Sequence, residues 1–200
     1  PRNLSAAITL VALVGITGAL HIDGLADSFD GMLGGRDPES RLRIMKQPDI
    51  GAFGVAAVVL VLLVDWAALA SISTTTAWVA LPMIGVMSRT APLVVMSIAS
   101  YVSANGLGQS YVNLPKPALI AMIFLTLVVS AAIGGGPALG VAIGGVVAAV
   151  LVGLFAKSRI GGANGDVYGA SVELVTMVCL VGVVGTVGGG GLFEPVWTNL

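Results

Sequence analysis

The sequence carries too little charge to face water. Asp, Glu, Lys and Arg make up 10% of its 200 residues, against about 25% in an ordinary soluble domain. A surface that charge does not cover can be covered by lipid. The net charge is −1, so there is no basic field for nucleic acid, and no nucleic-acid partner is expected. Cysteine is nearly absent: Cys179 stands alone in an apolar run. One thiol excludes a disulfide framework and a Cys-based metal site, and Cys179 reads as a small buried hydrophobe. No unit of 20–50 residues repeats. The chain starts at Pro1 rather than Met, which leads us to expect a processed or partial chain with an N-terminal segment missing.

What the chain has in abundance is hydrophobicity: 56% apolar residues and a mean hydropathy of +1.01. A spanning helix needs about 20 mostly apolar residues. About six stretches qualify, over 4–19, 50–72, 77–99, 117–133, 137–156 and 170–187. This predicts a single all-α domain over 1–200, a polytopic transmembrane helix bundle in a lipid bilayer. The glycine runs 134–136 and 188–191 mark span ends. Gly140, Gly144 and Gly145 suit close helix contacts in lipid.

The connections alternate in character. Segments 21–49, 100–116 and 157–169 are long and polar and are separated by even numbers of spans, so they share one face. The turns 73–76 and 134–136 carry no charge. Arg36, Arg41, Arg43, Lys46, Lys157 and Arg159 all lie in the polar set, which predicts a cytoplasmic face. Trp66 and Trp78 read as anchors at the opposite interface, with Asp65 beside them.

The densest chemistry is His21-Ile-Asp-Gly-Leu-Ala-Asp-Ser-Phe-Asp-Gly31. Asp23, Asp27 and Asp30 stand at i, i+4 and i+7, within an arc of about 60° on a helix. We expect this acidic helix at the membrane interface. Like charges so placed destabilise a helix, the more so near a membrane. A divalent cation offsets that cost, and an oxygen-only ligand set favours Mg²⁺, Mn²⁺ or Ca²⁺ over zinc. Asp49, opening the second span, is a further ligand, a base or a helix N-cap. His21 lies about 200° from Asp23, off the stripe, which favours a structural or headgroup role. Arg36, Lys46 and Arg89 are candidates to grip phosphate, and Arg89 is costly inside a span. Its bland alternative is a structural pair with Asp65. Further on, Asp166 and Glu173 are seven residues apart and share a helix face behind a glycine-rich lead-in.

At these residues the chain resembles the cobalamin synthase family, adenosylcobinamide-GDP ribazoletransferase, also called cobalamin-5′-phosphate synthase. The resemblance rests on 21–31, 44–54, Gly106-Leu-Gly108 and Gly165-Asp-Val-Tyr-Gly-Ala-Ser-Val-Glu173. The family's usual Thr-Gly-Asp reads Asn164-Gly-Asp166 here, and its Lys-Asp-Ser reads Lys46-Gln-Pro48. A weaker likeness, in Asp27-Ser-Phe-Asp30-Gly31, reaches the CDP-alcohol phosphotransferases of phospholipid synthesis. A cation transporter is the rival of another class, although its acids are expected within spans.

The resemblance implies a Mg²⁺-dependent transferase in a bacterial or archaeal cytoplasmic (inner) membrane, multi-pass, its active site facing the cytoplasm. Adenosylcobinamide-GDP and alpha-ribazole, or alpha-ribazole 5′-phosphate, are its expected substrates, and GMP leaves. Asp23, Asp27, Asp30 and Asp49 would hold the metal, with Asn164 and Glu173 supporting them. Arg36, Lys46 and Arg89 would grip phosphate. Asp49 or Asp166 would take the proton of the attacking hydroxyl. The segment 100–116 would line a mouth for the corrinoid.

Overall fold

Among the described residues the apolar sequence forms seven helices, most of them bounded by glycine or proline. The computed structural model describes residues 1–103 and 115–188. They are α1 (Arg2–Ile16), α2 (Leu20–Gly34), α3 (Pro38–Ile44), α4 (Ala52–Ser71), α5 (Thr74–Ile98), α6 (Lys116–Ile160) and α7 (Gly165–Gly188). No strand occurs among the described residues, and the one isolated bridge joins Tyr101 to Ala163. Gly106 to Gly108, most of the expected corrinoid mouth and the glycines after Gly188 lie outside the described residues.

Among the described residues four helices, α4 to α7, are long and apolar enough to cross a membrane; the count is five if α1 and α2 form one bent span. The first expected span is cut short. Gly18 and Ala19 both adopt left-handed backbone, at φ of 58° and 60°, and the chain turns through 86° between α1 and α2. Glycine enters that region freely, whereas Ala19 is there at a steric cost. The acidic stripe thus starts a helix of its own.

At 45 residues, α6 would be about 67 Å long if straight, twice the bilayer core. It is not straight: Gly134 and Gly135 leave helical geometry, Gly135 at φ 63° and ψ −152°. Thr126, in the 116–133 arm, bonds Thr90 at 2.9 Å. Ala142, Gly145 and Ala149, in the 136–160 arm, line the same small cavity as Thr90 and Thr126. On one straight helix Thr126 and Gly145 would be about 28 Å apart. The chain therefore folds back at the glycine run, as expected from the sequence.

Packing relies on small residues. A Cβ on Gly145 would sit 3.0 Å from Cys179 Sγ, and one on Gly182 would sit 3.2 Å from Val141 Cγ2. These glycines let the 136–160 arm approach α7 closely. Gly140, by contrast, faces open space, so only part of the expected glycine contact forms. Cys179 is buried in the core, as its apolar setting predicts. Large apolar side chains such as Leu60, Phe124 and Leu151 cover the outside, a surface that fits lipid and not water.

The polar connections meet at one end of the bundle. The Val102 N–H donates to Ala163 O at 3.0 Å, and the Ala163 N–H to Ser100 O at 2.9 Å. Arg41 donates from Nη1 to Arg159 O (2.7 Å), from Nε to Gly35 O (3.1 Å) and from Nη2 to Arg36 O (3.3 Å). It ties the α2–α3 turn to the end of α6, a structural task for a residue that sequence marks only as positive. Asp37 caps α3, accepting the Ser40 N–H at 2.9 Å. That hydrogen bond, with Ser40's hydroxyl, holds the exposed Asp37 carboxyl below its ordinary range. At the other end Trp66 Nε1 donates to Asn3 O at 3.1 Å and Trp78 is exposed. Asp65 is not at that interface: it is 1% exposed, inside the bundle. Adjacency to Trp66 misleads because neighbours on a helix point about 100° apart.

Candidate active site

The site forms where α2 crosses α7, and glycine permits the crossing. A Cβ on Gly24 would lie 2.7 Å from the backbone oxygen of Asp166 and 3.1 Å from its Cα. On the other helix, a Cβ on Gly169 would lie 3.3 Å from His21 Cα. Bare backbone on both faces lets the helices touch, and Asp166 arrives beside the acidic stripe. The charges of Asp166, Asp23 and Asp30 act on Asp27, and those of Asp23 and Lys46 act on Asp166. Acids of α2 and α7, far apart in sequence, thus form one constellation with a lysine at its edge.

Asn164 sets the position of Asp166. As the residue before α7, its Oδ1 accepts the Val167 N–H at 3.1 Å, and its Nδ2 donates to Asp166 Oδ2 at 2.7 Å. The same Nδ2 approaches Met45 Sδ at 3.5 Å. One amide therefore caps the helix and orients the carboxylate.

Asp30 is directed elsewhere. Its Oδ2 accepts the Gly51 N–H at 2.6 Å and its Oδ1 the Gly54 N–H at 2.8 Å. It thereby caps α4 from another helix, where a carboxylate is favoured by the free N–H groups and the helix dipole. The carboxylate lies so close that a Cβ on Gly51 or Gly54 would collide with it. Asp49 stands exposed in the bend before α4, and Gly51 rather than Asp49 is the N-cap residue. Arg36 and Lys46 are exposed at the same end of the bundle.

Arg89 and Glu173 lie in a second group. Glu173 is about 10 Å further along α7 than Asp166. His21 Nδ1 lies 3.8 Å from Glu173 Oε1, and Arg89 acts electrostatically on both. Arg89 Nη1 donates to Ser88 Oγ at 3.0 Å. Glu173, Arg89 and Asp65 line one cavity. The sequence offers Arg89 and Asp65 as a pair but does not bring Glu173 to them, since the three come from α5, α4 and α7. His21 stands beside Glu173 and not on the carboxylate stripe.

Among the described residues no three His, Cys, Asp or Glu side chains gather closely enough to hold a metal by themselves. Mg²⁺ is seldom caged by protein alone; one or two carboxylates hold it, and waters and substrate phosphates complete its shell. Asp23 and Asp27, beside Asp166, fit that mode: acid density with little cationic compensation, at the open polar end. Asp30 has one lone pair left on each oxygen after capping α4.

Comparison with known proteins gives the same direction. The family model described as cobalamin-5-phosphate synthase matches residues 1–184. A protein of Stutzerimonas stutzeri (strain A1501) named adenosylcobinamide-GDP ribazoletransferase is 37% identical over 92% of this chain and 76% of its own length. Another of that name, from Pseudomonas fluorescens (strain Pf0-1), is 38% identical over 92% of this chain and 76% of its own. A third, from Chlorobaculum tepidum, is 34% identical over 86% and 70%. No solved structure matches the chain. With its acids gathered at one end of a helical membrane bundle and a family match along nearly its whole length, the chain belongs to the cobalamin-5-phosphate synthase family of transferases.

Proposed function

We propose that the chain joins adenosylcobinamide-GDP to alpha-ribazole, or to alpha-ribazole 5′-phosphate, at the cytoplasmic face of the inner membrane. The observation that carries the proposal is the meeting of Asp23, Asp27 and Asp166 with Lys46 at the polar end of a bundle whose relatives bear that activity in their names. The acceptor hydroxyl oxygen attacks the cobinamide-side phosphorus, the bond from that phosphorus to the GMP oxygen breaks, and GMP leaves. Asp166 takes the hydroxyl proton. Asn164 occupies its Oδ2 and leaves Oδ1 for the proton, whereas Asp49 is exposed in the bend before α4. Lys46 and Arg36 face the phosphates. Asp23 and Asp27 are the residues that would hold Mg²⁺, which when bound would supply positive charge against the pyrophosphate and the departing GMP.

The membrane reading is six spans: the bent α1–α2 pair, α4, α5, the two arms of α6, and α7. Six of the basic residues, Arg36, Arg41, Arg43, Lys46, Lys157 and Arg159, cluster with the acids, which supports a cytoplasmic site.

The test is GMP release by the purified protein in detergent or nanodiscs. Adenosylcobinamide-GDP with alpha-ribazole should release GMP with Mg²⁺ and not with EDTA. CMP release from CDP-diacylglycerol, in place of GMP release, would move the chain to phospholipid synthesis. Asn164→Ala should lower GMP release at least about tenfold and cost about 1 kcal/mol through the lost cap. Asn164→Thr should restore both, because a threonine hydroxyl can accept the Val167 N–H and donate to Asp166.

A further inference from the structure

A second polar site lies deeper in the bundle, and the proposed reaction does not use it. A cavity of about 60 Å³ opens between α1, α4, α5 and α7. Leucine, isoleucine and valine side chains form part of its wall, and Thr17, Asp65, Ser88, Arg89, Glu173 and Thr176 also face it. Asp65 is 1% exposed, and its Oδ1 has no hydrogen-bond partner. The charge acting on it is that of Glu173, of the same sign. Arg89 acts instead on Glu173 and His21. A buried, unpartnered carboxylate is costly, more so in a membrane.

The hydroxyls around it sharpen the point. Each donates its proton backwards to its own helix: Thr17 to Val14 O (3.0 Å), Ser88 to Gly85 O (3.3 Å) and Thr176 to Val172 O (2.8 Å). Their lone pairs are what remains for the cavity, and Ser88 already accepts from Arg89. The lining therefore offers acceptors: two carboxylates and the oxygens of Thr17 and Thr176. With both carboxylates ionised and His21, 3.8 Å from Glu173, neutral, two carboxylates against one guanidinium leave a single negative charge for a cation to balance. The volume suits one bare ion or about two waters.

We propose that this cavity binds a small alkali cation, Na⁺, between Asp65 and Glu173, with Thr17 and Thr176 completing the oxygen shell. A monovalent ion closes the charge balance, and hard oxygen ligands are what such an ion takes. The ion locks α1, α4 and α7 together about Asp65.

The test is thermal unfolding of the full chain in detergent at pH 7.5, with NaCl replaced by choline chloride at constant ionic strength. Na⁺ should raise the wild-type midpoint by roughly 3 °C or more. Asp65→Asn should lose the Na⁺-dependent rise, and Thr176→Val, which removes one neutral ligand and keeps the charges, should need at least about tenfold more Na⁺. If Asp65→Asn fails to fold, Thr176→Val decides. Equal midpoints for the wild type in Na⁺ and choline would overturn the proposal in favour of a proton on Asp65. So would an undiminished Na⁺ response in Thr176→Val or in a folded Asp65→Asn.

Discussion

Asp27→Asn is expected to lower GMP release by at least about 100-fold and leave the unfolding midpoint unchanged or slightly raised. The side chain keeps its shape but loses the charge that would help hold Mg²⁺, and losing one such electrostatic contribution to the transition state costs roughly 10² to 10³ in rate. Stability does not fall, because Asp27 sits among the like charges of Asp166, Asp23 and Asp30. Removing one of them relieves repulsion. Asp30→Asn should behave differently. Its carboxylate accepts two backbone N–H groups at the start of α4, and an asparagine NH₂ in the same place presents a donor to a donor. The expected cost is about 3 kcal/mol, in line with charged, buried hydrogen bonds. Activity then falls through loss of fold. Paired melting curves and GMP-release rates separate the two. Equal destabilisation by both variants would mean that Asp27 is structural as well.

Gly24→Ala should nearly abolish activity without touching any acid. The new methyl would meet the backbone of Asp166 at 2.7 Å, and backbone cannot rotate aside as a side-chain end can. Overpacking of this kind costs about 1–3 kcal/mol, and here it acts by pushing α2 off α7. Asp27 and Asp166 would then separate. Gly15→Ala is the matched control: a Cβ there meets nothing within 4 Å, so its midpoint should hold or rise through better helix propensity. A wild-type rate and midpoint for Gly24→Ala would show that the close crossing of α2 and α7 is not needed.

Much of this architecture is legible residue by residue. The scarcity of charge and the long apolar stretches identify a helical membrane bundle, because hydrocarbon demands that backbone groups be satisfied within each helix. The break at Gly134–Gly135 is legible as a glycine run between apolar stretches. The acidic stripe follows from helical period alone, and Asp166 and Glu173 do share α7 as their spacing predicts. The bend at Gly18 and Ala19 was not legible, since nothing about an alanine announces left-handed backbone. Arg41 could not be distinguished from its basic neighbours, because its partners are carbonyls, and every residue carries one.

The sequence by itself determined the class of environment, the helices and the candidate acids, because each depends on composition or on spacing within one segment. Only the tertiary structure decided what each acid does. Asp30 caps α4 because Gly51 and Gly54, 21 and 24 residues away, turn their N–H groups to it. Asp27 joins Asp166 because two glycines on different helices happen to coincide. Asp65 joins Glu173 because both line one cavity. A carboxylate is the same group in all three places. Its role depends on which donors and charges surround it, and those arrive from parts of the chain that meet only when the bundle folds.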